Sequence, residues 1–474
     1  MSMKQSAAAK YEPVSTSPVK SFFVKMLTRD ISLTDALLDL LDNCVDGILR
    51  VKGKAGGSQP YAGYFAEITY NSDTFSIHDN CGGIPWNLHK YAFKMGKSDD
   101  RPTEPSGTVG VYGIGMKRAI FKLGRHCLIS TQNANDRYEV EISPTWIDSE
   151  DLWDIPVQPA KRAMKQDGTT IVVDKLHPGI SSQFGPDKES FTKEFRDKIS
   201  SHYAFIINKG FKVTINGLTV DARPTQLIFA NSAGAKAKKS LVRPFIYKTH
   251  INKVDVFLAI GFTQPIPTQE DLAGAQEQVK YSALGAGWTV VCNDRAVVYC
   301  DRSELTGWGE TGLPQYHNQF IAISGLVEFS SADPEQLPTT TTKRGIDASS
   351  QLFLQVKNKM REGLRLFIDY TNRWKGREDE SRIHMKNAEI VPFTEVKRKA
   401  ESLSLTAARG VIGGHQFRPQ LPMPKTVVSD RRISFTKKIN DIRAVSSYLF
   451  GDDNINASIV GEKCFDKMLQ ETRG

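Results

Sequence analysis

The sequence predicts an α+β fold with an N-terminal α/β domain, a second mixed α/β domain and a small helical unit at its C-terminal end. Three observations lead there. The amphipathic stretch SLTDALLDLLDNCVDGIL over 32–49 precedes alternating, strand-like runs near 64–70, 126–131, 137–142 and 169–174. Residues 241–330 hold the β-rich runs KVDVFLAIGF, GWTVVCNDRAVVYC and QFIAISGLVEF. A Gly- and Pro-rich stretch over 409–428 then precedes a short closing segment. At 474 residues the chain exceeds one ordinary core, so two or three domains are expected.

Residues 1–20 combine lysine and small residues without an apolar run, and read as a mobile tail rather than a secretory signal. The first domain is placed at 21–185. Ser32 or Thr34 caps its main helix, Leu37, Leu38, Leu40, Leu41 and Val45 form the apolar stripe, and Gly47 falls near the end. A strand near 64–70, an Asn-Ser-Asp turn and a strand through Ile77 make a hairpin. Trp86–Met95 reads as a helix, 96–109 as a polar loop, and Met116–Leu123 as a helix behind a glycine cluster. The second domain, 186–385, opens with the amphipathic helix SFTKEFRDKISSHYAFIIN and closes with one long charged helix over 349–382. Residues 386–428 are assigned to a linker and 429–474 to a small interaction unit.

Hydrophobic residues at 40% and charged residues at 24% fit a soluble globular chain, and no apolar run approaches the roughly 18 residues a membrane helix needs. The net charge of +9 favours polyanionic partners such as nucleic acid, and equally fits an ordinary basic surface. The six cysteines are scattered with no CxxC pair, so neither a zinc site nor a disulfide framework is expected. Reduced thiols and a cytoplasmic location follow.

Four elements carry chemistry. In Asp39-Leu-Leu-Asp42-Asn43-Cys-Val-Asp46, the residues Asp39, Asn43 and Asp46 share one helix face, where hard oxygen ligands can hold Mg²⁺. In Asp79-Asn-Cys81-Gly82-Gly83, a strand-end Asp can accept from an exocyclic amine while glycines let backbone approach a flat base. Gly107-Thr-Val-Gly110-Val-Tyr112-Gly113-Ile114-Gly115-Met116-Lys117 is a glycine loop opening onto a helix N-terminus, the form of a polyphosphate cradle. Asp167-Gly168-Thr169 opens a strand. Each alone also reads as ordinary structure: a solvated acidic face, an Asx turn, a flexible loop, a strand start.

Together, in this order and spacing, the four resemble the GHKL ATPases: gyrase B, MutL, the ninety-kilodalton heat-shock chaperone, histidine kinases and the MORC group. The resemblance covers roughly 30–175 and implies a Bergerat-type α/β sandwich that binds ATP with Mg²⁺. Carried over by position, Asn43 would hold Mg²⁺, with Asp46 beside it among the cofactor-binding residues. Asp79 would bind the adenine amine, Gly83 would pack under the base and Thr169 would support it. Gly110, Tyr112, Gly113, Ile114, Gly115, Met116 and Lys117 would cradle the phosphates as part of a lid over about 96–115. Asp39 falls where most of the group carry a glutamate general base. Being one methylene shorter, it implies slow hydrolysis or none. Cys81 stands where the pattern often has a glycine.

Downstream, Leu337-Pro-Thr-Thr-Thr-Thr-Lys343-Arg344-Gly345 resembles the transducer loop of the MutL-like and MORC-like branch, with Lys343 reaching the γ-phosphate and Arg344 as second choice. The region around GWTVVCNDRAVVYC resembles that branch's ribosomal-S5-like transducer fold. The resemblance then implies an ATP-gated switch in which two copies form a nucleotide-dependent homodimer acting on DNA, a nuclease or another effector protein. Alternatives are a nucleotide-bound scaffold that does not hydrolyse, and a histidine-kinase-like activity. The last requires a phosphoacceptor histidine ahead of the motif helix, and residues 1–30 contain none. The resemblance also extends to bacterial ATP-binding proteins from phage-defence settings.

Overall fold

A computed structural model of the chain describes residues 19–52, 57, 59–94, 114–186, 188–230, 241–274, 285–340, 345–386, 388–408, 413–424 and 433–473. They belong to two compact units, Met1–Met423 and Pro424–Gly474.

The first unit contains two large sheets. Its N-terminal half begins with α1 (Lys20–Arg29), α2 (Leu33–Lys52), β1 (Phe65–Tyr70), β2 (Phe75–Asp79), α3 (His89–Phe93) and α4 (Gly115–Leu123). It continues with β3 (Gly124–Gln132), β4 (Arg137–Ile142), α5 (Pro144–Asp148), β5 (Val157–Pro159), β6 (Gly168–Leu176) and α6 (Pro178–Phe184). It ends on α7 (Lys188–His202), α8 (Ala204–Asn208), β7 (Lys212–Ile215) and β8 (Leu218–Thr219). The sheet order is β5-β4-β3-β6-β2-β1-β7-β8, and β1–β7 is its one parallel pairing. In β2 the alternation of FSIHD buries Phe75, Ile77 and Asp79 on one face, so strand periodicity places the acid on the core side.

The expected hairpin and the strands near 126–131, 137–142 and 169–174 correspond to β1–β2, β3, β4 and β6. Three readings change in this half. Helix α2 runs on to Lys52, with the Ser32 hydroxyl accepting the Asp35 N–H at 3.1 Å as its cap. Gly47 is therefore interior, and a Cβ there would lie 2.5 Å from the Cys81 carbonyl oxygen. Trp86–Met95 is not one helix. A single 3-10 turn over Trp86–Leu88 leads into the five-residue α3, none of whose side chains is buried to hold a longer element. Residues 188–219, expected in the second domain, complete the first: Phe65–Ile68 of β1 pairs with Lys212–Ile215 of β7, and Phe191, Phe195 and Ile199 of α7 enter the same core.

The C-terminal half of the unit comprises β9 (Gln226–Ala230), β10 (Phe245–Ile251), β11 (Val254–Phe262), α9 (Gln269–Gly274), β12 (Gly287–Cys292), β13 (Arg295–Asp301) and β14 (Ile323–Ser331). Then follow α10 (Gln351–Arg373), α11 (Glu378–Ile383), β15 (Ala388–Pro392), α12 (Phe393–Ala400), β16 (Thr406–Ala407) and β17 (His415–Phe417). Seven strands pair in the order β13-β12-β14-β11-β10-β17-β16, and β9 pairs with β15. Helix α10 packs on this sheet closely enough that a Cβ on Gly363 would meet Ile260 Cγ2 at 2.5 Å. The single helix expected over 349–382 breaks after Arg373, where Trp374 is buried and Gly376 takes φ +78 before α11 starts. The expected linker 386–428 carries folded structure: Phe393, Val396 and Ala400 bury the i, i+3, i+7 stripe of α12, and β17 adds to the edge of β10.

The second unit holds α13 (Ile439–Phe450), closed by Gly451 at φ +70, and α14 (Ala457–Arg473) packed against it. The strand expected there does not form among its described residues. Among the described residues of the whole chain, no helix is long and apolar enough to cross a membrane.

Candidate functional site

Helix α2 carries four polar residues that the fold sends to different neighbours. Asp39 is buried and ion-paired with Arg118, whose Nη2 donates to Oδ2 at 2.5 Å. Gly115, the first residue of α4, packs directly on it: a Cβ there would sit 3.1 Å from the Asp39 Cβ. The carboxylate thus faces the opening turn of α4, where the helix dipole and unpaired N–H groups favour negative charge. Asn43, one turn along, is exposed. Asp46 is buried, and its charge acts on Tyr61, whose hydroxyl donates to Asp294 Oδ2 at 3.0 Å. The three residues expected to act together divide accordingly, with Asp39 set against α4, Asn43 toward solvent and Asp46 near Tyr61.

The fourth, Asp42, is the most buried, at 1% exposure, and was missed as a site residue. Arg295 of β13, equally buried, donates from Nε to Asp42 Oδ1 at 2.9 Å. The single proton of the Tyr203 hydroxyl is shared between the same oxygen and the Leu38 carbonyl, 2.8 Å away. The Arg295 guanidinium lies 4.2 Å from the centre of the Tyr203 ring. Beside it, Lys209 pairs with Asp294 at 2.5 Å. The hairpin turn read from Asn293-Asp294 is therefore also a docking element: it brings the second sheet against α2, α7 and α8. A signal existed. Asp42 stands between Leu38 and Val45 on the apolar stripe, and a charge there requires a buried partner.

At the end of β2, Asp79 Oδ1 accepts the Cys81 N–H at 2.8 Å, and the Cys44 thiol lies 3.6 Å from Oδ2. Burial pushes the Asp79 carboxyl above its ordinary value, opposed by hydrogen bonds from the Cys81 N–H, the Cys44 thiol and the Thr169 N–H. An ionised carboxylate has about four acceptor positions, so these three donors leave capacity for an exocyclic amine. The glycines around it are forced by backbone crowding. Gly82 and Gly83 take φ +93 and +66. A Cβ on Gly83 would fall 2.1 Å from the Gln132 carbonyl, and one on Gly168 would fall 1.9 Å from the Asp79 carbonyl. We expect Gly168→Ala to cost about 3 kcal/mol in chemical denaturation, because rigid backbone rather than a side-chain tip opposes the methyl group. Nucleotide affinity should fall with it as Asp79 is displaced.

Thr169 follows Gly168, its hydroxyl 3.2 Å from that of Thr131, which also accepts the Ile84 N–H at 2.8 Å. Of the expected phosphate cradle, Ile114 precedes α4, and Met116 and Lys117 are buried in its first turn, with Lys117 Nζ donating to the Ala92 carbonyl at 2.8 Å. Gly110, Tyr112 and Gly113 lie outside the described residues, as do Lys343 and Arg344 and most of the expected lid. A cleft of about 790 Å³ beside the Gly82–Trp86 turn is lined by Arg50, Tyr64, Trp86 and Asp167, and not by Asp39, Asn43 or Asp79. Because that lining holds none of the acids of α2 and not Asp79, we place the candidate site between α2, α4 and the end of β2.

No curated protein matches the chain. Residues 31–170 match the family model described as Histidine kinase-, DNA gyrase B-, and HSP90-like ATPase, a span that contains Asp39, Asn43, Asp79 and the opening of α4. The mixed α/β architecture is compatible with the sandwich of that superfamily, and the match over residues 31–170 supports ATP binding by that segment.

Proposed function

We propose that this domain binds ATP with Mg²⁺, hydrolyses it slowly, and uses the nucleotide state to control association of two copies of the chain. The observation that carries this reading is the double engagement of α2. One side sets Asp39 against α4, and the adjacent side buries Asp42 in Arg295 and Tyr203. A shift of α2 on nucleotide binding is thereby felt by the second sheet through a contact that has no slack. The second sheet then acts as the transducer, with Lys343 as its contact to the γ-phosphate. The gain is an interaction lost on hydrolysis, as a switch requires.

In this reading Asp79 takes the adenine amine, with Gly83 and Thr169 shaping the floor, and Gly110, Tyr112, Gly113, Ile114, Gly115, Met116 and Lys117 surround the phosphates. Asn43 offers its exposed carboxamide oxygen to Mg²⁺, and Asp46 buttresses the same helix. The ion would neutralise phosphate charge at that point. Asp39 is the base, which requires approach to within about 3 Å of the attacking water's oxygen and release from Arg118. That ion pair gives weight to a second reading, a scaffold that binds nucleotide without hydrolysing it.

Single-turnover hydrolysis with Mg²⁺ and enzyme in excess separates the two. Slow phosphate release that disappears in Asp39→Asn supports the switch, whereas no product from the unaltered chain leaves the scaffold. Light scattering with a non-hydrolysable ATP analogue should show a doubling of mass. If neither the analogue nor added duplex DNA changes the assembly, association and DNA clamping are both dropped.

A further inference from the structure

Two cysteines far apart in the sequence meet at the floor of the site. Cys44, on the buried side of α2, and Cys81, in the turn after β2, converge with Asp79 so that one ligand atom from each lies within 4.8 Å of the other two. All three residues are buried. We propose that Cys44, Cys81 and Asp79 form a site for a thiophilic divalent cation of the zinc class, and that its occupancy blocks the adenine pocket.

The donor set suits such an ion: two sulfurs and one carboxylate oxygen, with a fourth position left for water. The spacing is close to what coordination needs. With metal–sulfur and metal–oxygen bonds of about 2.3 and 2.1 Å, the sulfur–oxygen edge of a tetrahedron is roughly 3.6 Å, and Cys44 Sγ already stands 3.6 Å from Asp79 Oδ2. The elements that carry the ligands are fixed. Gly47 lets α2 press on the Cys81 carbonyl, and Asp79 Oδ1 holds the Cys81 N–H. Among the described residues no Lys or Arg forms an ion pair with the buried Asp79 carboxylate, so a cation would relieve its desolvation. Hydrogen bonding with Cys81 and burial push the Cys44 thiol well above its ordinary value, and burial pushes Cys81 up. Both thiols are therefore protonated without metal, and binding exchanges two protons for one divalent ion. Once Asp79 ligates the ion, its free acceptor capacity is lost and the adenine amine has no partner.

The metal site itself stands apart from the ATP reading; the blockade rests on it. The test uses Cd²⁺ as probe on the full chain with Cys300 and Cys464, the half-exposed thiols, replaced by Ser. Absorbance should show a saturable cadmium–thiolate charge-transfer band at one ion per chain, removed by Cys44→Ala and separately by Cys81→Ala. Absence of the band, or its persistence in both variants, overturns the site. Binding of a fluorescent ATP analogue should weaken at least tenfold on Cd²⁺ loading, and Cd²⁺ should no longer alter it in Cys44→Ala. A band with unchanged nucleotide affinity overturns the blockade alone. If the metal-free chain binds no nucleotide, the ATP reading and the blockade fall together while the band still decides the site.

Discussion

Asp79→Asn is expected to lower nucleotide affinity about 100-fold or more while leaving the nucleotide-free protein as stable as before, or more so. The affinity loss follows from polarity of the hydrogen bond. An amide of the same shape keeps one acceptor oxygen, which the Cys81 N–H occupies at Oδ1. At the other position it presents an N–H₂ donor to the donor amine of the base, so a charge-assisted contact worth about 1.5–3 kcal/mol becomes a clash of donors. The stability change has the opposite sign. Burial raises the Asp79 pKa above its ordinary 3.8. The stability linked to a raised group is complete below the unfolded pKa and is lost as pH rises through the folded one. Wild type therefore carries the cost of a buried charge at neutral pH, and the Asn variant does not. Thermal unfolding across pH should show the variant's advantage growing as pH rises from the ordinary to the raised pKa, holding level above it, and closing as the solution becomes acidic. A variant less stable than wild type at neutral pH and equally able to bind nucleotide would contradict both parts.

The elements that sequence made legible were those whose spacing is local. The i, i+4, i+7 face of α2, the β1–β2 hairpin, Asp79 at a strand end and the helix behind Gly115 all follow from periodicity within about 20 residues. What stayed hidden were pairings that only the fold creates. Arg118 meets Asp39 across 79 residues, Cys44 meets Asp79 across 35, and Arg295 meets Asp42 across 253. Scattered cysteines argued against any metal site because ligand spacing was sought along the chain, whereas α2 and the turn after β2 bring two of them together in space. The pairing of β7 was hidden for a related reason. The change of pattern at 186 is real, yet β7 returns to pair in parallel with β1, a partner about 145 residues earlier that no local signal names. Gly47, expected near the helix end, lies inside α2, where a glycine costs roughly 1 kcal/mol in isolation. Only the Cys81 carbonyl packed above it explains why that cost is accepted.

Arg295→Ala is the substitution we expect to destabilise the first unit most, by about 3–5 kcal/mol, because it strands the Asp42 carboxylate in a site 1% exposed. Tyr203 would still donate to that carboxylate, which is why the loss should fall short of the full desolvation cost. Asp42→Ala should be comparably severe, since it leaves the guanidinium buried over the Tyr203 ring with the Ala296 carbonyl as its remaining hydrogen-bond acceptor. The double replacement Asp42→Leu with Arg295→Met should recover most of the loss: both charges are gone, volume is roughly kept, and the Tyr203 hydroxyl retains the Leu38 carbonyl. Chemical denaturation of wild type, Asp42→Leu, Arg295→Met and the double variant gives the coupling energy directly, and near-additivity of the two single losses would show that the pair is not the joint between α2 and the second sheet. The rescued double variant then isolates transmission from stability. It retains Asp39, Asn43 and Asp79 and should bind nucleotide, but with the rigid contact replaced by an adaptable apolar one it should no longer double in mass with the ATP analogue. Doubling that persists in a stable double variant would place the coupling elsewhere than at Arg295.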